Sequence, residues 1–216
     1  MGRADCTKIL LEFLVREYAE ITNGKGSLEN AQKCTMGAEY SIAMLEVRRL
    51  TTSEARQHVS ALADVLVDCV EGGASVSFMW PFSKSAAEDF FKKVVEGMES
   101  GNRILLAAFM DSKLVGTVQI LTALPPNQPH RAEIAKLLVH RSARGQSVGR
   151  CLMDQAERHA KLAGKTLLVL DTVTGGDAER LYIRLGWVKA GVIPRFALFP
   201  DGRWCDTTIF WKALDR

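Results

Sequence analysis

At 216 residues the chain is long enough for one substantial hydrophobic core and short for two. A composition of 47% hydrophobic and 25% charged residues is that of an ordinary globular domain and excludes a disordered or fibrous class. A formal net charge of +3, spread along the chain, is no footprint for nucleic acid, and the longest apolar runs, such as residues 104–110, are too short to span a membrane.

Residues 7–22 place Ile9, Leu10, Phe13, Leu14 and Ile21 on one stripe and predict an amphipathic helix. Glu12 interrupts its apolar run and no small-residue cleavage site follows, so it does not read as a leader. After a break carrying Gly24, Gly26 and Asn30, residues 40–47 read as a first strand. Ser53, with Glu54 behind it, reads as the N-cap of a helix that carries Val59, Leu62, Leu66 and Val70 and stops at Gly72-Gly73. A loop, ASVSFMWPF, leads to Ser83, the expected cap of a second helix running to residue 100. The period then changes from helical to alternating. RILLAAFM and KLVGTVQIL predict a hairpin joined at DSK, and RAEIAKLLVH a third long strand beyond a proline-bearing break. Residues 148–163 are helical, TLLVLD is an apolar strand of the kind buried on both faces, and residues 178–185 form a short helix. Residues 187–214 predict two strands around Pro200-Asp201-Gly202. The order implies a mixed α/β sheet with helices on both faces, in a single domain.

The five cysteines, at 6, 34, 69, 151 and 205, contain no C-x-x-C pair, and the four histidines form no H-E-x-x-H. Reduced thiols, no metal site and a cytoplasmic location are expected.

One stretch, RGQSVGR at residues 144–150, carries two readings. Gly145 to Gly149 spells G-x-S-x-G, the nucleophile elbow of serine hydrolases. That reading needs a late histidine as base, and His159, inside the helix that Ser147 would introduce, is the only histidine that follows. The strand also ends about four residues too early, and no glycine-rich oxyanion segment precedes it. Taken with its surroundings, the stretch is instead an anion loop. A strand ends near Val139, a turn carries Arg141, Arg144, Gly145 and Gly149, and a helix starts near Val148. Glycines let successive N–H groups converge, the helix start adds unsatisfied donors and partial positive charge, and arginines add charge-assisted contacts. Such a site suits a pyrophosphate.

These residues resemble the GCN5-related N-acetyltransferase (GNAT) family. RGQSVG after IAKLLV is similar to its [QR]-x-x-G-x-[GA] motif, LLVLD to its next strand, and AERLYIRLGW to its A-x-x-x-Y-x-x-x-G-F/W helix and turn. The resemblance is closest to the tabtoxin-resistance branch, through GGASVSFM, RAEIAKLLV, RSARGQSVGRCLMD, LDT and PDGR. Where these loops commonly carry a middle glycine, this chain has Ser147, which a negative φ would accommodate and whose hydroxyl would face a phosphate.

The resemblance implies a mostly antiparallel central sheet with splayed parallel strands, flanked by helices on both faces. It implies acetyl-CoA as cosubstrate, without a metal. Its pyrophosphate would lie on Arg144, Gly145, Gln146, Ser147, Val148, Gly149 and Arg150, and its pantetheine along Leu137, Leu138, Val139 and Ala178. Tyr182 would protonate the leaving thiolate, and Glu133 or Asp171 would deprotonate the amine; a core tyrosine, a solvated strand residue and a loop cap are the respective structural alternatives. Trp80 and Phe82 would wall the acceptor, or form a plain hydrophobic cluster. The implied activity is acetylation of a small-molecule amine, as in inactivation of a tabtoxin-like or aminoglycoside-type antibiotic or toxin. A protein or peptide amine, or a non-catalytic acyl-CoA-binding module, are the alternatives. Neither nucleic acid nor membrane is an expected partner. The resemblance covers the domain from residue 44 to 216; residues 1–43 are an unmatched extension, whose helix is expected to pack on the domain or against a second subunit, the alternative being a natural start at Met36 or Met44.

Overall fold

Apolar alternation makes strands only where successive strands can pair, and here seven do so in one sheet of order β1-β2-β3-β4-β5-β7-β6. The computed structural model describes residues 44–214, so the helix expected over 7–22 and the rest of the extension lie outside the described residues. The elements are β1 (Leu45–Arg49), α1 (Thr52–Gln57), α2 (Val59–Glu71), α3 (Lys84–Glu99), β2 (Arg103–Met110), β3 (Lys113–Leu121) and β4 (Arg131–Val139). A single 3₁₀ turn (Arg141–Ala143) leads to α4 (Val148–Leu162), β5 (Leu167–Val173), α5 (Asp177–Arg184), β6 (Val188–Leu198) and β7 (Trp204–Ala213). Every neighbouring pair is antiparallel except β4 and β5, which is the mixed sheet expected.

Local chemistry explains most boundaries. The two-residue turn between β2 and β3 holds Asp111 and Ser112 at φ 47° and 66°, the left-handed pair that a tight hairpin requires. Ser83 caps α3 as expected, accepting the Ala86 N–H at 3.2 Å. The first helix starts earlier than expected: its N-cap is Thr51, not Ser53. The Thr51 hydroxyl accepts the Glu54 N–H at 3.2 Å while the Glu54 carboxylate accepts the Thr51 N–H at 2.8 Å. This capping box needs an acid three residues on, which Thr51 has and Ser53 lacks. The helix then breaks at His58 into α1 and α2.

Each sheet face carries its own core. On one, Leu152, Met153, Ala156 and Ala160 of α4 meet Leu106, Val118, Ile120, Ile134, Leu168 and Phe210. On the other, Leu62, Leu66 and Val70 of α2 and Phe91 and Val94 of α3 meet Leu105, Ala107, Phe109 and Leu138. Among the described residues the second helical layer packs mainly on β2, β3 and β4 rather than on β5, β7 and β6. Strand β5 therefore departs from expectation. Leu168 and Leu170 are buried, but Leu167 and Val169 are only half-buried and Asp171 is exposed. An apolar run signals burial on both faces only when both faces are covered. Beside it, Trp211 (opposite Val169) and Val188 (opposite Trp211) are exposed on the same bare face.

Candidate active site

The site grows from a defect in β4. Thr117 pairs with Leu138 and Gln119 with Ala135, so β4 carries one residue more than β3 across this step. The surplus centres on Lys136, whose φ is 51°. The bulge flips the strand's facing: Ala132 and Ile134 point to the α4 side, whereas beyond it Leu138 points to the α2–α3 side. It also bends β4 away from β5. The two strands pair only at Arg131–Leu167, Ala132–Leu168 and Glu133–Val169, then part. Residues 137–139 thus keep one edge bonded to β3 and present the other, with its backbone donors and acceptors, to the opening. Gly116 permits the bonded edge, because a Cβ there would lie 2.9 Å from the Leu138 carbonyl.

At the end of β4 the chain makes its 3₁₀ turn and enters α4 through two left-handed residues, Gly145 at φ 75° and Ser147 at φ 61°. The negative φ that would suit Ser147 is not found. The turn needs a left-handed residue just before α4, which is why glycine is common at that place. No side chain caps α4, so its first-turn N–H groups have no hydroxyl or carboxylate acceptor there. Gly149 has a packing role: a Cβ would meet Leu181 at 3.3 Å, so its bareness lets α4 approach α5.

The loop's side chains are arranged unevenly. Arg144 folds back, its Nε donating to the Val139 carbonyl at 3.1 Å and its Nη2 lying 3.9 Å from the Cys69 sulfur. Arg150 lies 3.7 Å from Asp154, and the Gln146 amide donates to the Ser142 carbonyl at 3.0 Å. Arg141 is clamped by Asp68, which accepts its backbone N–H at 2.8 Å and its Nε; His140 Nε2 lies 3.3 Å from the same carboxylate. Buried Asp68, near the end of α2, therefore fixes the entry to the loop. The sequence reading missed it, although a lone carboxylate in the apolar run VLVDCV was the available signal.

At the opening's other end the three expected catalytic side chains are unequal. The Glu133 carboxylate accepts Arg131 Nη1 at 2.9 Å. Asp171, two residues past Val169 on the same face, has no hydrogen bond or ion pair among the described residues. Tyr182 on α5 is 5% exposed, with its ring 5.9 Å from that of Trp187 and 6.1 Å from that of Phe210. Burial pushes its phenol pKa up, and the Asp171 charge adds to the effect, so the proton is firmly held. Ala178 is half-buried against the α4-side core.

Lys136, which the sequence reading did not single out, reaches the same opening. Its ammonium donates to the Ser77 hydroxyl at 2.9 Å. Burial draws its pKa down, and the Asp171 charge draws it partly back.

The loop over residues 74–82 borders this side. Exposed Trp80 donates its indole N–H to the Val70 carbonyl and its backbone N–H to the Pro200 carbonyl, both at 3.0 Å. The Ser75 hydroxyl donates to the Leu198 carbonyl at 2.7 Å, which ties the loop to the turn between β6 and β7. Phe82 turns inward instead, its ring 4.4 Å from that of Phe78 and packed on the α2–α3 core. Among the described residues, no group of three or more His, Cys, Asp or Glu could hold a metal ion.

A model of the acetyltransferase (GNAT) family matches residues 59–187. An N-acetyltransferase from Staphylococcus aureus Mu50 superposes with a TM-score of 0.67 at 17% identity, over 80% of this chain and 99% of that one. The protein yncA from Salmonella typhimurium, solved with its cofactor acetyl-CoA, gives 0.66 at 18% identity over 80% and 95%. A ribosomal-protein-alanine N-acetyltransferase from Brucella melitensis gives 0.65 at 22% identity over 78% and 99%. At such identities the structural likeness is one of fold.

Proposed function

The chain belongs to the acetyltransferase (GNAT) family, whose members use acetyl-CoA, and from that membership we propose that it acetylates the amine of a small molecule. The observation that carries the reading is the opening between β4 and β5. It runs from the start of α4, which no N-cap side chain closes, to the carboxylate of Asp171, which has no ion pair among the described residues.

The residues at the opening fit a pyrophosphate thioester. The bare N–H groups at Val148, Gly149 and Arg150, with Gly145, Gln146, Ser147 and the Arg144 guanidinium, form an anion cradle at a helix start. The free edge of β4 at Leu137, Leu138 and Val139, facing Ala178, suits the amide groups of a pantetheine arm. When bound, acetyl-CoA supplies an activated acetyl group. A backbone N–H near Leu138 then polarises the carbonyl oxygen. Asp171 takes the proton of the attacking amine, because Glu133 is already engaged by Arg131. As the C–N bond forms and the C–S bond breaks, the phenol of Tyr182 delivers a proton to the departing sulfur.

The branch resemblance points to an antibiotic- or toxin-like acceptor handled in the cytoplasm, with exposed Trp80 beside it and the protein working as a homodimer. No described helix is long and apolar enough to cross a membrane. A second reading, acetylation of a peptide amine, draws support from the bare face beside Asp171, where Trp211, Val188 and Ile193 are exposed. The Brucella neighbour is named for such a substrate.

The test is thiol release from acetyl-CoA across a panel of amines and amino-terminal peptides, with CoA binding measured by calorimetry. Turnover of a small amine supports the reading, and turnover of peptides alone favours the second. CoA binding with no turnover of any amine overturns both. Binding that is unchanged in Arg144→Ala and Gly149→Pro overturns the cradle.

A further inference from the structure

Lys136 has no part in the scheme above, yet the fold places it with care. It is the surplus residue of the β4 bulge, held at φ 51°, and its partner Ser77 sits at φ 81°. Two non-glycine residues in the left-handed region thus meet across the bulge and the loop over residues 74–82. Strain of this kind is kept where a site demands a particular direction of a side chain.

Lys136 is a half-buried cation that faces the charge of Asp171 without contacting it. Several half-buried cations are matched by carboxylates, Arg48 by Glu54, Arg131 by Glu133 and Lys212 by Glu157, whereas Arg103 and Lys165, away from the opening, bond to amide and backbone carbonyl oxygens instead. The half-buried ammonium of Lys136 has a hydroxyl as its hydrogen-bond partner, and no carboxylate lies within ion-pair distance among the described residues. Asp171 acts on it through space only. A desolvated cation without a contacting anion is costly, and a ligand that supplies the anion recovers that cost. The opening therefore presents a dipole, with a carboxylate at Asp171 that attracts an ammonium and an ammonium at Lys136 that attracts an oxyanion. A polycationic acceptor would meet repulsion at Lys136.

We propose that Lys136 is a specificity residue of the acceptor site, and that the acceptor is an amine bearing an oxyanion, such as a carboxylate, close to its nitrogen. This rests on the acetyltransferase reading, and the experiment separates the two. Calorimetry with CoA on the wild type, Lys136→Gln and Lys136→Arg first establishes that the variants fold and that the donor site works. Initial rates are then measured with matched acceptors, each an amino acid and its carboxamide, alongside a polycationic aminoglycoside. The wild type should prefer the acid by about tenfold or more in kcat/KM, the worth of one charge-assisted hydrogen bond. Lys136→Gln should raise KM for the acid and collapse the acid-to-amide ratio, and Lys136→Arg should restore much of it. Equal losses on acid and amide would reduce Lys136 to a tether for the loop and overturn the proposal, as would a wild-type preference for the amide or the aminoglycoside. Should CoA bind while no amine is turned over, the transfer reading has failed. The proposal is then judged by equilibrium binding of the same acids and amides to CoA-saturated protein. There, the absence of an acid preference that Lys136→Gln removes would overturn it.

Discussion

Strands β1 to β4 and strands β5 to β7 belong to one sheet but live in different surroundings. The first four are an antiparallel run covered on one face by α4 and on the other by α2 and α3, and their inward residues, such as Leu105, Leu106 and Val118, are buried completely. The last three are covered on the α4 and α5 side alone, and their other face exposes Asp171, Val188 and Trp211. The seam between the halves is the one parallel pair, and it stays closed for three residue pairs. The covered half is closely packed, whereas the seam and the bare face leave open backbone, a carboxylate and an ammonium with no ion pair among the described residues.

The comparison can be broken by mutation. The largest effect is expected in the covered half. Leu106→Ala should cost about 3–5 kcal/mol in chemical denaturation, through lost burial and the cavity left behind, while Trp211→Ala on the bare face should cost under about 1 kcal/mol. Similar costs for the two would mean that the bare face is covered in solution.

At the seam, Tyr182→Phe should lower kcat about 100-fold while leaving the melting temperature nearly unchanged, since the ring contacts with Trp187 and Phe210 survive. An unchanged kcat would make Tyr182 a core residue. The carboxylates should separate in the same assay. Asp171→Asn is expected to lower kcat about 100-fold and Glu133→Gln only a few-fold, because Glu133 is bonded to Arg131. The reverse order would exchange their roles.

Glu179 tests how the bare half is held to α5. Its carboxylate accepts the Gly175 N–H, the Thr208 hydroxyl at 3.1 Å and the Lys189 ammonium at 3.3 Å. The Gly175 N–H foremost, and then Lys189 and Thr208, hold its pKa below the ordinary 4.5. A lowered carboxylate stabilises the fold above its ordinary value and loses that contribution as pH falls through the folded one. Glu179→Gln should therefore cost about 1–2 kcal/mol at neutral pH, with the gap to wild type narrowing under acid, as followed by thermal unfolding against pH. The smallest effect is expected at Ser147. Ser147→Gly relieves a left-handed side chain and should gain up to about 1 kcal/mol with activity retained, which a serine nucleophile would not allow.

Much of this molecule was readable from local chemistry. Ser83, the Asp111-Ser112 turn and the glycine stop at Gly72-Gly73 mark boundaries through bonds to near neighbours, and the structure places all three where the sequence implied. Thr51 was missed in favour of Ser53 because the capping box lies one short segment upstream, although the acid at Glu54 signalled it. The turn over residues 144–147 was readable because a strand end and a helix start flank it, although the left-handed φ of Ser147 was not expected. Its internal arrangement was not, since the Asp68 clamp on Arg141 spans 73 positions along the chain.

By itself, then, the sequence determined the strands and the helices, because these are written in short-range periodicity and capping, while its motifs carried the resemblance to the family. Only the tertiary structure decided that Lys136 is the surplus residue of a bulge, that β4 parts from β5 beyond it, and that Glu133 is bonded to Arg131 while Asp171 has no ion pair among the described residues. Those outcomes depend on register between strands and on which face a helical layer reaches, and no local pattern encodes either.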